Sequence, residues 1–138
     1  MAAVYELQSA WLEPRLRDIG VNWTTFQLLT TVTTAGKRAS QVEVARRLGV
    51  TAATLSESVY AHVQKGLLEQ VHSRHDRRVK VLQLTEKAKV LMRQIRKLVS
   101  ESETVMTAGL SPAQNENLST ALDHVLVNLE NAISVVPS

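Results

Sequence analysis

The side chains in this 138-residue chain that can do chemistry are few, and most are basic or hydroxylic. There is no cysteine, which excludes thiolate nucleophiles, thiolate metal sites and a disulfide framework. Four histidines (His62, His72, His75 and His124) raise the question of a metal, and His72-x-x-His75 has a tolerable ligand spacing. Neither thiolates nor a cluster of acidic partners accompany it, so no metal site is expected. Ser-His-Asp and His-Glu-x-x-His spacings are missing. Each glycine sits where an apolar pattern stops, which leaves none for a phosphate-cradling loop. Neither an enzyme nor a cofactor is expected.

The cations are unevenly placed. Nine of them (Lys37, Arg38, Arg46, Arg47, Lys65, Arg74, Arg77, Arg78 and Lys80) lie between positions 37 and 80 with only four anions, Glu43, Glu57, Glu69 and Asp76. The net charge of the whole chain is +3, so the positive field belongs to this middle stretch, which suits a polyanionic partner. Its densest part is Ser73-Arg74-His75-Asp76-Arg77-Arg78. Asp76 is placed to orient a neighbouring arginine.

Glycines and caps define the elements that position these groups. Gly20, Gly36, Gly49, Gly66 and Gly109 each close an amphipathic pattern, as a left-handed helix terminus requires. Starts match them: Asn22 or Thr24, Ser40 with Glu43 as a capping box, Thr51, Thr85, and Ser111-Pro112-Ala113-Gln114. Between Leu67 and Thr85 the period becomes alternating around the polar run 72–78, which predicts a hairpin with a basic tip. The chain therefore reads as four helices, a hairpin and two more helices: mainly α with a small β-hairpin wing.

The stretch from Gln41 to Val59 reads as a helix-turn-helix. Ala45 permits a close crossing, Gly49 makes the turn, and Val44, Leu48, Val50, Leu55 and Val59 are the expected shared core. A second helix from Thr51 to about Lys65 would then enter a DNA major groove, N-terminal residues first. Candidate contacts from the helix pair are Ser40, Thr51, Ala52, Ala53, Thr54, Ser56 and Glu57. The alanines suit thymine methyls, the hydroxyls suit bases or phosphates, and Glu57 can accept from a cytosine amine. From the hairpin, Arg74, Arg77, Arg78 and Lys80 complete the set, with an arginine placed for the minor groove.

Together these residues resemble the MarR family of winged helix-turn-helix regulators. The likeness rests on Gly66-Leu67-Leu68, on Asp76-Arg77-Arg78 in the wing, on Leu84-Thr85-Glu86-Lys87, and on a closing helix that begins Leu110-Ser111-Pro112. It implies a homodimer that reads a pseudo-palindromic double-stranded DNA site as a repressor. It also implies Arg78 in the minor groove and Arg77 and Lys80 on phosphates. Ser58, His62, Glu57 and Ala61 depart from the family's leucines and basic residues on the recognition helix.

The corresponding division is an N-terminal dimerisation helix at 1–20, a winged helix-turn-helix at 21–85 and C-terminal dimerisation helices at 86–138. Pro14 implies a kink or a break in the first helix. The apolar stripes Leu91, Met92, Ile95, Leu98, Val99, Val105 and Leu118, Leu122, Val125, Leu126, Leu129, Ile133 exceed what one small domain can cover. A homodimer absorbs the excess, and an intramolecular bundle is the alternative. Four of the five aromatic residues (Tyr5, Trp11, Trp23 and Phe26) fall in the first 26 positions. Trp11, Trp23 and Phe26 beside Arg15 would suit a small aromatic acid as effector, although core packing also accounts for them. His62 is expected to pack against a tryptophan or the wing. With no signal-peptide pattern and no membrane-length apolar run, the expected location is the cytoplasm. A winged-helix module that binds protein without reading DNA sequence is the competing function.

Overall fold

The computed structural model describes residues 1–135, with side chains through Ile133. The order is α1 (Ala2–Asp18), α2 (Trp23–Ala35), a 3-10 turn (Gly36–Arg38), α3 (Gln41–Leu48), α4 (Ala52–Gln64), β1 (Leu68–His72), β2 (Lys80–Leu84), α5 (Glu86–Met106) and α6 (Pro112–Val135). This is the expected succession of four helices, a hairpin and two helices. The last three residues of the expected C-terminal segment lie outside the described residues.

All five glycines have positive φ. Gly49, at φ 68° and ψ 31°, is left-handed and ends α3; the Val50 N–H then closes onto the Ala45 carbonyl at 3.1 Å. A side chain in that conformation costs about 1–2 kcal/mol, which is why the turn takes glycine. The helix starts are capped as anticipated at Thr51 and Thr85, and at Asn22 rather than Thr24. Ser111 and Gln114 form a reciprocal box, each accepting from the other's backbone N–H at 3.1 and 2.9 Å. At α3 the box is half made. Ser40 accepts from the Glu43 N–H at 3.1 Å, but the Glu43 carboxylate turns to Arg46 and Arg47, three and four residues along its own helix. The Ser40 N–H donates to the Arg38 carbonyl instead.

Pro14 lies inside an unbroken α1, so the helix is not divided into two pieces. The donor that proline removes would have served the Ala10 carbonyl. Ala10 and Pro14 are both exposed, so water can satisfy that carbonyl.

The chain comprises two compact units, Met1–Ser102 and Glu103–Ser138. In the first, a single core joins Leu12 and Leu16 of α1, Leu28, Leu29 and Val32 of α2, Val44 of α3, Leu55 and Val59 of α4, Leu68 and Leu82 of the hairpin, and Met92 and Ile95 of α5. Gln8 and Ser102 add a hydrogen bond from α1 to α5. Val50, expected in this core, is 38% exposed. It falls in a three-residue turn whose geometry fixes its backbone on Ala45, which leaves its side chain at the surface. The second unit contains the last turn of α5 and all of α6. The α6 residues Leu118, Leu122, Leu126, Leu129 and Ile133 are exposed, and Val125 is half-buried.

Candidate nucleic-acid interface

Three elements build the surface. α3 and α4 pack across the Gly49 turn by burying Val44, Ala45, Leu55 and Val59. The hairpin is antiparallel, with Leu68 opposite Leu84, Gln70 opposite Leu82 and His72 opposite Lys80. Extended backbone just before α3 joins it: the Leu82 N–H donates to the Ala39 carbonyl at 2.7 Å, and Ser40 bridges to Val81. Gln70 also donates to the Gln41 side chain. The wing is thereby stitched to the start of α3, so its base holds a fixed position beside the helix pair.

The wing tip is organised by short polar bonds. The Ser73 N–H donates to the Val79 carbonyl at 2.9 Å, and the Val79 N–H to the Asp76 carbonyl at 3.0 Å. The Asp76 carboxylate accepts from the Arg78 backbone N–H at 3.0 Å, an Asx turn. Asp76 therefore orients Arg78 through its backbone and leaves the guanidinium available. Arg74, Arg77, Arg78 and Lys80 are exposed, and none is in an ion pair among the described residues.

Between wing and helices runs a cleft of about 380 Å³, lined by Ser40, Val42, Ala52, Leu55, Ser56, Arg78, Val79 and Lys80 among others. Five of the residues expected to touch DNA meet here: Ser40, Ala52, Ser56, Arg78 and Lys80. Ala53 and Glu57 are exposed on α4 outside the cleft, and Arg74 and Arg77 lie on the tip. Thr51 and Thr54 are exposed but engaged with one another. The Thr51 hydroxyl accepts from the Thr54 N–H at 3.1 Å and donates to the Thr54 hydroxyl at 2.9 Å.

Two residues escaped the sequence reading. Val42 is 80% exposed and lines the cleft, and Tyr60 is 68% exposed on α4. Both become legible once the helical phase is fixed by the buried Val44 and Val59.

Charge on α3 is partly neutralised. Glu43 takes two bonds from the Arg46 guanidinium, at 2.6 and 3.0 Å, and one from Arg47 at 2.9 Å. These hydrogen bonds, Arg46 first, hold its carboxyl down at about 2. One carboxylate thus offsets two cations of the basic stretch, and the wing arginines become the more available ones.

His62 is 4% exposed, and both of its ring nitrogens are engaged. Its Nδ1 lies 2.6 Å from the Ser58 carbonyl and its Nε2 2.9 Å from the Thr25 hydroxyl. A carbonyl only accepts, so Nδ1 is the donor there, and Nε2 of the neutral ring takes the Thr25 proton. The pair ties α4 to α2.

Trp23 and Phe26 pack at 4.9 Å between ring centroids and line a second cleft of about 310 Å³ with Tyr5, Thr30, Arg47 and Val99 among others. The Thr30 hydroxyl is buried with no hydrogen-bond partner. Trp11 and Arg15 are not in this lining. The Arg15 guanidinium stacks 3.8 Å from the Trp11 ring centroid and donates to the Trp11 carbonyl at 2.7 Å. Among the described residues there is no group of three or more potential metal ligands, and no helix long and apolar enough to cross a membrane.

Comparison with known proteins agrees with this architecture. A MarR family model matches residues 19–79. A MarR family transcriptional regulator from Listeria monocytogenes, solved in complex with 26mer DNA, superposes with a TM-score of 0.76 at 18% identity, covering 96% of this chain and 87% of that one. A mutant MarR from E. coli complexed with operator DNA gives 0.69 at 23% identity, covering 91% and 89%. Another solved transcriptional regulator is 28% identical with a TM-score of 0.73, covering 94% and 95%. The chain thus matches the MarR family model over residues 19–79 and shares the fold of these solved regulators over nearly its whole length.

Proposed function

We propose that this protein is a DNA-binding transcriptional regulator of repressor type, acting in the cytoplasm as a homodimer on a pseudo-palindromic double-stranded site. The carrying observation is the cleft that gathers Ser40, Ala52 and Ser56 from the helix pair beside Arg78 and Lys80 of the wing. Short hydroxylic and methyl side chains suit base edges while the cations suit phosphates, so one surface can both position and read. Arg78, oriented by Asp76, enters the minor groove; Arg77 and Lys80 take phosphates. The DNA complexes of the Listeria monocytogenes and E. coli proteins support this reading.

Dimerisation through segments 1–20 and 86–138 is supported by apolar residues left exposed on both: Val4 and Leu7 on α1, and the α6 stripe from Leu118 to Ile133. The cleft bearing Trp23, Phe26 and Arg47 is the place for a small aromatic acid whose binding releases DNA. Selection of duplexes from a randomised library tests the function: enrichment of a two-fold-related motif is the expected result, and failure to enrich any sequence overturns it. Sedimentation at micromolar concentration tests the dimer, with a monomer as the contrary result. One observation favours a protein-binding module instead: the exposed Glu57 on a helix without lysine or arginine. Retention of no duplex in that selection would support it.

A further inference from the structure

α4 spans Ala52–Gln64, and no lysine or arginine occurs in it. Its one basic-type side chain, His62, is buried against Thr25. The inward face is Leu55, Val59 and His62. Ala53, Glu57, Tyr60 and Gln64 recur at helical spacing on the opposite face, and all four are exposed. A helix in a major groove is flanked by phosphates on both walls and needs donors towards them. The Thr54 hydroxyl is shared with Thr51, and Ser56 is short and turned to the wing cleft.

We propose that Tyr60 is a DNA-contacting residue whose phenolic hydroxyl donates to a phosphate oxygen on the groove wall. Three features carry this. At 68% exposure the ring has no structural need to be aromatic. Helical side chains lean towards the N-terminus, so the ring covers the turn of Ser56 and Glu57, on the half of α4 that leads into the groove. It is also the longest donor on that face. Because the donor is neutral, its bond releases no counterion and contributes a salt-independent part of the affinity, unlike Arg78 and Lys80.

This inference rests on the DNA-binding reading, and the test separates the two. Fluorescence anisotropy would compare wild type, Tyr60→Phe, Tyr60→Ala and Lys80→Ala on a duplex that the protein selects from a randomised library and on an unrelated duplex, over a series of salt concentrations. Tyr60→Phe should weaken both duplexes about tenfold per half-site, the scale of one hydrogen bond to a charged group. The slope of log K against log salt should stay that of wild type. Lys80→Ala should make the slope shallower by about 0.9 for each phosphate that the lysine no longer neutralises. Unchanged affinity in Tyr60→Phe, a slope altered as in Lys80→Ala, or loss confined to Tyr60→Ala would each overturn the hydroxyl–phosphate bond. A selection from which wild type recovers no duplex would sink the DNA-binding reading along with it. Thermal melting of Tyr60→Phe at the wild-type temperature excludes a folding effect.

Discussion

Removing the Thr25 hydroxyl isolates what holds α4 to α2. Thr25→Val preserves shape and leaves His62 Nε2 with a buried lone pair and no donor, where Thr25 is 5% and His62 4% exposed. An unsatisfied buried acceptor costs about 1–3 kcal/mol. His62→Leu removes the acceptor instead. The Thr25 hydroxyl can then turn to the carbonyl one helical turn back, so that loss should be smaller, about 1 kcal/mol plus any packing change. With both substitutions the polar pair is replaced by apolar groups of similar volume, which mutational series find close to neutral. The double-mutant cycle should therefore show a coupling of about 2–4 kcal/mol. Urea unfolding at a single protein concentration, followed by tryptophan fluorescence and circular dichroism, measures each corner. Free energies that add to within about 0.3–0.5 kcal/mol would refute a working Thr25–His62 bond.

Further outcomes follow from the same geometry. The Glu43 carboxyl is lowered from 4.5 to about 2 by Arg46 and Arg47, so its charge stabilises the fold above about pH 4.5 and that contribution is lost as pH falls towards 2. The stability gap between wild type and Glu43→Gln should close over that window, and 1 M salt should narrow it because the pairs are partly exposed. Gly49→Ala meets no steric neighbour, so its cost should be backbone strain alone, about 1–2 kcal/mol in chemical unfolding, with Gly49→Asn milder. Asp76→Ala removes the acceptor for the Arg78 N–H. DNA affinity should fall severalfold while the melting temperature stays within a degree or two, because the wing tip lies outside the core.

Local signals in the sequence carry over well wherever the cause is local. Glycine at helix ends, caps at Thr51, Thr85 and Ser111, and the change of period at the hairpin all depend on residues within one turn of each other, and all appear in the structure. The departures come from competition or from distance. Glu43 leaves its capping role because two arginines stand on its own helix at pairing distance. His62 finds Thr25, 37 residues away, a pairing no local pattern encodes. Val50 looked like core by type, but its position in a three-residue turn gives it a backbone role. Tyr60 was legible only after burial fixed the rotation of α4, and Arg15 was withdrawn from the aromatic cleft by its stacking on Trp11.

DNA binding through the helix pair and wing is tested most directly by the salt dependence of binding to a selected duplex, measured for wild type and Arg78→Ala. Wild type should give a steep negative slope of log K on log salt, and Arg78→Ala a weaker affinity with the largest loss where the flanks are rich in A·T pairs. Binding that is absent or indifferent to salt, or an Arg78→Ala variant equal to wild type on every flank, would contradict it.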